Sequence, residues 1–274
     1  MTGVSVLTLA RGRTAHLYQL VEGLKRCRPL PAELVLVDMN DIPPPIPEAP
    51  FSVRRIALGG ESLPLAAARN LAARSAGSDH LLFLDADCIP SRGLPKLIES
   101  VLDEVDGLVC PQALYLGPED ARGAWNEAEL LAAGQPHPAR VFPDAGLCRE
   151  TNYGLFWSLA FGVRRTTFDR IGGFDEAFTG YGGEDTDFGF RAKELGIPLV
   201  FAGGDVVFHQ HHPVSDPPVE HLGDIVRNAQ VFRKKWGWWP MEGWLRAFEA
   251  AGQIAFSSDG NSVSMSRALS GADA

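Results

Sequence analysis

Apolar residues in the first half of the chain fall into short continuous runs, separated by stretches in which they recur at helical spacing. This is the pattern of strands joined by crossover helices. Residues 4–9 form the first run. Thr14 is then placed to cap a helix whose Leu17, Leu20, Val21 and Leu24 lie at i, i+3, i+4 and i+7 on a single face. Residues 33–38 form a second run ending on Asp38. Pro43-Pro44-Pro45-Ile46-Pro47 lacks the amide donors that a ladder or helix requires, and predicts an extended loop. A short third strand is expected over residues 51–56. A helix follows, capped by Ser62, with Pro64 near its first turn, running through Asn70 toward Gly77. Residues 80–84 read as a buried strand that delivers Asp85.

The second half is less regular. Residues 111–150 carry one helix candidate around 124–132, then Pro136, Pro138 and Pro143, an irregular segment of the kind used as a lid or binding loop. A strand is expected over 157–163, a short helix over 166–171, and a helix over 184–195 closed by Gly196. Residues 199–201 and 206–208 return to strand, and a final helix is expected over 219–235. From about Ser257 the chain is rich in Ser, Gly and Ala, which predicts a disordered tail.

Composition narrows the classes. A chain of 274 residues suits one large α/β domain. A formal net charge of -9 argues against a general nucleic-acid binder, whose affinity draws on concentrated Lys and Arg. An anionic ligand would therefore need a locally positive site such as a metal. Cys27, Cys88, Cys110 and Cys148 are widely spaced with no C-x-x-C pair, so neither a zinc knuckle nor a disulfide framework is indicated and a reducing cytoplasm is the simplest location. No signal-peptide pattern opens the chain, and no apolar run reaches the roughly 18 residues of a spanning helix, which leaves peripheral membrane contact open.

Four constellations could carry chemistry. The strand Leu81-Leu82-Phe83-Leu84 delivers Asp85-Ala86-Asp87 at its C-terminal end, where open α/β sheets bind ligands. Carboxylates two apart can serve one hard cation, Mg²⁺ or Mn²⁺, whose shell substrate phosphates complete, although an isolated D-x-D more often caps a turn. Gly180-Tyr181-Gly182-Gly183 runs into Glu184-Asp185-Thr186-Asp187 at a helix start. Glycines there allow close backbone approach, and a carboxylate can act as general base; capping explains one of the three acids and leaves two over. His209, His211 and His212 follow a strand, where alternation would set His209 and His211 on one face and His212 on the other. Trp236, Trp238, Trp239 and Trp244 suit core packing first, sugar stacking second and an interface beside Arg233-Lys234-Lys235 third.

Taken in order, these residues resemble glycosyltransferase family 2 and related enzymes of the GT-A fold. Ala68-Arg69-Asn70 followed by Asp85-Ala86-Asp87 is similar to the family's A-R-N stretch and D-x-D motif, and Asp38 matches the acidic residue that contacts the nucleoside. Gly172-Gly173-Phe174-Asp175 and Gly182-Gly183-Glu184-Asp185 look like the G-G-F-D and G-G-E-D elements of galactosyl- and N-acetylgalactosaminyltransferase relatives. Met39-Asn40-Asp41 replaces the usual D-G-S, a departure at the nucleobase contacts.

The resemblance implies an α/β GT-A fold with a central mixed sheet flanked by helices. It implies one catalytic domain over residues 1–256, a nucleotide-sugar-binding half (1–110) and an acceptor-binding half (111–256), before a tail over 257–274. Asp185 would be the catalytic base beside Glu184. Asp38, Arg69, Asn70, Asp85 and Ala86 would bind the donor, and Gly182, Gly183, Glu184 and Trp157 the acceptor; Arg11, after the first strand, reads equally as a donor contact or as a surface salt bridge. Asp87 and His209 would hold Mn²⁺ or Mg²⁺ with help from Asp85, and His211 as the fallback ligand. The implied reaction moves a sugar from a nucleotide-diphosphate donor, UDP-linked, to the hydroxyl of a glycan or other acceptor with inversion. A retaining transferase, a nucleotidyltransferase or an inactive GT-A carbohydrate-binding protein are the competing readings. The absence of a Gly-rich basic phosphate loop in Ala10-Arg11-Gly12-Arg13 disfavours the nucleotidyltransferase.

Overall fold

A computed structural model of the chain describes residues 3–60, 63–213 and 215–266. In chain order the elements are β1 (Val4–Ala10), α1 (Thr14–Arg26), β2 (Glu33–Asp38), β3 (Ser52–Ala57), α2 (Leu65–Ser75), β4 (His80–Leu84) and β5 (Cys88–Pro90). Next come α3 (Leu94–Glu104), β6 (Leu108–Tyr115), α4 (Glu127–Ala133), β7 (Gln135–Pro136), β8 (Gly146–Glu150), β9 (Ala160–Arg164) and α5 (Arg165–Ile171). The chain closes with α6 (Glu184–Glu194), β10 (Leu199–His209), α7 (Leu222–Trp236), α8 (Glu242–Ala250), β11 (Ile254–Phe256) and β12 (Val263–Met265).

One mixed sheet runs in the order β3-β2-β1-β4-β9-β6-β10-β5, with β7 and β8 added on β6 and β10. Its first four strands are parallel, and β9 then runs antiparallel to both β4 and β6. The apolar runs of β1 and β2 are buried throughout because helices cover both faces of the sheet. Alternation along β4 shows this: Leu81 and Phe83 enter the core under α2, whereas Leu82 and Leu84 enter the opposite core under α1 and α3. Strand order reverses beside β1, so the loops after β1, β2 and β4 open into one crevice.

The α2-side core is built on phenylalanine. Phe83 and Phe161 stack at 4.5 Å across adjacent strands, and Phe174 and Phe188 stack at 4.4 Å. Phe174 belongs to the turn after α5 and Phe188 to α6, so this pair binds the two segments that carry the glycine-rich motifs.

Several elements differ from the sequence reading. Thr14 is the first helical residue and not the cap; the cap position falls to Arg13, which is left-handed at φ 52° and makes no side-chain cap bond. Ser62 lies outside the described residues. The two strands expected at 199–208 are one strand, β10, with a register shift between Ala202 and Val206. The last expected helix begins at Leu222, after a 3-10 turn over Val219–His221.

The tail from Ser257 also needs correction, since β11 and β12 form a hairpin through residue 265. Polar residues conceal it in the sequence. Ser257, Asp259, Asn261 and Ser262 close its turn by hydrogen bonds among themselves, while Ile254 and Val263 are buried with Ile225, Leu245 and Phe248. Residues 267–274 lie outside the described residues. Among the described residues no helix is long and apolar enough to cross a membrane. Two of the three cations at the end of α7 are engaged internally: Lys235 by Asp175 and Asp187, Arg233 by Gly237 and Asn261.

Truncating Phe188, fully buried among four other phenylalanines, should cost about 3–5 kcal/mol of unfolding free energy. Urea titration of Phe188→Ala followed by circular dichroism measures it.

Candidate active site

The crevice collects side chains from five places. β1 leads into Arg11-Gly12-Arg13, β2 ends on Asp38, β4 leads into Asp85-Ala86-Asp87, α6 begins with Glu184-Asp185, and β10 ends on His209. Each acidic group follows a strand or opens a helix, where unpaired backbone amides leave room for an anion or a charged side chain.

Asp38 is 2% exposed. Its Oδ1 accepts from the backbone and side-chain amides of Asn40 at 3.0 and 2.7 Å, and Oδ2 lies 3.5 Å from Arg55 Nε. Asn40 in turn accepts from Gly12 N at 2.6 Å. Asn40, within the stretch that departs from D-G-S, therefore links Asp38 to the turn after β1.

Asp87 is 5% exposed and stands at the centre of a cluster. His209 Nε2 lies 3.7 Å from one of its oxygens and His212 Nε2 lies 3.5 Å from the other. One ligand atom from each of the three residues falls within 4.8 Å of the others. Arg13 forms an ion pair with the same carboxylate. His211, the fallback from strand alternation, is not in this cluster; its carbonyl instead accepts from His16 at 3.2 Å and Arg122 at 2.7 Å. Alternation fails because β10 ends at His209, and the backbone beyond it turns His212 back toward Asp87. The donor set of one carboxylate and two imidazoles fits a first-row transition ion better than Mg²⁺, which takes oxygen ligands. Burial, followed by Arg13, lowers the His212 pKa and favours the neutral, ligating form.

Arg69 links the two halves of the site. It is 4% exposed and reaches Glu184 at 3.0 Å and Asp85 at 3.4 Å. Burial pushes the Glu184 carboxyl up to about 7; Asp185 adds to the rise and Arg69 opposes it. Asp185 is also raised, by burial against Arg69 and against hydrogen bonds from Thr186 and the Ser158 backbone. Glu184 Oε2 is buried with no hydrogen-bond partner. Asp187, the third acid of the motif, is spent on structure: it accepts from Arg191 and from the Trp236 indole, each at 2.8 Å.

The remaining residues singled out in the sequence have varied places. Asn70 binds Phe174 N and O and Glu176, so it fixes the G-G-F-D turn. Ala86 is buried with Ala10, Leu17 and Leu36, and Arg11 is exposed in the turn after β1. Trp157 is half-buried, next to the Ser158 amide that serves Asp185. A run of ring contacts leads from Trp157 to His137 (4.7 Å), Tyr115 (5.7 Å) and His209 (4.9 Å), forming an aromatic wall between the base candidate and the histidine cluster. Arg140 stacks behind Trp157 at 4.9 Å.

Gly182 and Gly183 lie in a loop held from α7. Asn228 donates to the carbonyls of Thr179, Tyr181 and Gly182, and Asp224 accepts from Tyr181 N. Gly180 and Gly183 have φ of 75° and 92°, and a Cβ on Gly180 would collide with Asp224, so glycine is required there. Sequence reasoning missed Arg13, Tyr115, His137 and Asn228, and it named His212 but set it on the face opposite His209. Only His212, within the histidine triplet, carried a local signal.

Solved structures share this architecture. GalNAc-T7, solved with UDP, GalNAc and Mn²⁺, superposes on 90% of this chain and 56% of its own with a TM-score of 0.55 at 17% identity. TarS of S. aureus (residues 1–349) superposes on 85% of this chain and 65% of its own, with a TM-score of 0.57 at 13% identity. The fold is that of the GT-A glycosyltransferases. Within that class the chain belongs to Glycosyl transferase family 2, whose sequence profile matches residues 5–172. A second profile, the N-terminal domain of galactosyltransferase, matches residues 147–213.

Among curated relatives, validoxylamine A glucosyltransferase of Streptomyces hygroscopicus subsp. jinggangensis is 33% identical over 157 residues, 49% of this chain and 36% of the relative. N-acetylglucosaminyl-diphospho-decaprenol L-rhamnosyltransferase of Mycobacterium tuberculosis is 29% identical over 159 residues, 57% of this chain and 44% of the relative. The matched region thus spans less than half the length of either relative.

The raised carboxylates set a pH dependence. A base must be ionised to accept a proton, so a transferase using this pair should lose kcat/KM as the pH falls through about 7. Since Arg69 lowers both pKa values, Arg69→Gln should move that acid limb to higher pH, read from pH–rate profiles of the two proteins.

Proposed function

We propose that this chain transfers a sugar from a UDP-linked donor to an acceptor hydroxyl, with inversion at the anomeric carbon. The observation that carries the reading is the meeting, in one crevice, of the Asp87–His209–His212 cluster with the Glu184–Asp185 pair, bridged by Arg69. Asp87, His209 and His212 are the residues that would hold a divalent cation. When bound, the ion neutralises charge developing on the departing diphosphate.

The chain's own residues do the rest. Asp38, held by Asn40 at the end of β2 with its Oδ2 free of any hydrogen bond, is the acceptor for the nucleoside. The Asp185 carboxylate takes the proton of the acceptor hydroxyl while the acceptor oxygen bonds to the anomeric carbon and the bond to the diphosphate oxygen breaks. Arg69 lowers the pKa values of Glu184 and Asp185 in a site whose burial raises both. Glu184 Oε2 is free to accept from an acceptor hydroxyl. Tyr115, His137 and Trp157 supply flat faces for a sugar ring. The GalNAc-T7 structure, with its UDP and Mn²⁺, supports the UDP and transition-ion parts of the reading. Four free cysteines, three of them buried, support a cytoplasmic setting.

Release of UDP from a panel of UDP-sugars, with Mn²⁺ and with EDTA, tests the proposal. Activity should require the ion, and Asp185→Asn should lower kcat by about 10²–10⁴ while UDP affinity stays within a few-fold. Glycan binding without UDP release from any donor would make the chain an inactive binding protein of the same fold.

A further inference from the structure

The proposed cation site already holds a positive charge. Arg13 Nη1 pairs with Asp87 Oδ2, and Arg13 Nη2 lies 3.4 Å from Nδ1 of His212. One guanidinium therefore engages two of the three groups gathered for an ion. The Arg13 side chain is 41% exposed and the Asp87 side chain only 7%, so the carboxylate is fixed in the protein while the arginine reaches it from the solvent side.

The turn that carries Arg13 is well anchored. Gly12 N donates to Asn40, the Gln210 amide donates to the His16 carbonyl at 3.1 Å, and the His16 ring meets the His211 carbonyl. Arg13 itself adopts φ 52° and ψ 32°, a backbone conformation that glycine accepts and arginine adopts at a cost. An arginine held there by a rigid turn, with a long exposed side chain aimed at a buried carboxylate, is placed for its charge.

A divalent ion and a guanidinium cannot both sit against the same Asp87 oxygen, because like charges at contact repel strongly in a partly buried site. An ion arriving alone must therefore displace Arg13 into solvent. An ion arriving with a nucleoside diphosphate gives Arg13 a new anionic partner, since phosphate oxygens complete the ion's shell within reach of the displaced side chain, and guanidinium binds phosphate in a bidentate fork.

We propose that Arg13 is a donor-binding residue that stands in for the cation at Asp87 and His212, and transfers to the donor diphosphate when ion and nucleotide bind. This rests on the metal-dependent reading above. It makes ion and nucleotide mutually dependent, each raising the affinity of the other.

Mn²⁺ titration followed by the EPR signal of the free ion reads this without catalysis. In the absence of nucleotide, Arg13→Gly should bind Mn²⁺ at least about tenfold more tightly than the unaltered protein, a gain that loss of a merely structural arginine would not produce. Added UDP should tighten Mn²⁺ binding to the unaltered protein by about tenfold or more, and to Arg13→Gly by much less. Glycine suits the left-handed backbone, and Arg13→Met, which retains a long side chain without charge, should reproduce the result if the turn loosens. Equal Mn²⁺ affinity in all three proteins without UDP overturns the role of Arg13 alone. Failure of every protein to bind Mn²⁺, with or without UDP, overturns the metal reading and this one with it.

Discussion

Four carboxylates, Asp85, Asp87, Glu184 and Asp185, crowd one crevice of an already acidic protein, and the fold has to make that crowding tolerable. Arg69 is the main answer. It rises from α2 beneath the crevice, buried to 4% exposure, and touches the acid after β4 and the first acid of α6. A guanidinium suits this place because it stays charged when buried and can address two carboxylates from one plane. Removing one partner of such a buried pair costs roughly 3–5 kcal/mol, far more than a surface ion pair is worth, so Arg69 holds the two ends of the site at a fixed separation. The rest of the arrangement is built around that separation. The phenylalanine core places α2 against α6, and Asn70, next to Arg69, secures the turn before α6.

The first half of the chain was readable because its signals are local. Strands buried on both faces give continuous apolar runs, and the helix over Leu17 to Leu24 shows one apolar stripe, so β1, β2, β4 and the helices between them follow from spacing alone. The second half depends on residues far apart in sequence. The hairpin of β11 and β12 is made by two buried residues and a turn that bonds to itself, which in composition looks like a tail. The helix α8 has only Leu245 and Phe248 fully buried, too few to announce a helical face.

The same contrast holds at the site. Asp38, Asp85, Asp87 and the glycine-rich acidic motif stand at element ends, where a sequence marks them. His212 was misassigned because a two-residue period was extended past the point at which the strand stops. Arg13, Tyr115 and His137 come from three separate segments and meet only through the sheet order that sets β6 beside β10 and the β1 turn beside the histidines. Nothing in the neighbourhood of any one of them marks it out. Asn70 shows the reverse case, since a motif residue with an expected ligand contact spends its side chain on the Phe174 backbone and the Glu176 carboxylate of a distant turn.

The clamp on the glycine-rich loop bears on where this enzyme-like unit ends. The two family profiles stop at residues 172 and 213, before α7 begins. Asp224 and Asn228, which grip the carbonyls and amides of Thr179 to Gly182, lie beyond that limit. The profile-matched part of the chain thus supplies the acids, and α7, outside it, supplies two side chains that hold the loop before them. A change at Asn228 would therefore strip the donor from three carbonyls, those of Thr179, Tyr181 and Gly182, and so reach the acids that follow them from outside the profile-matched region.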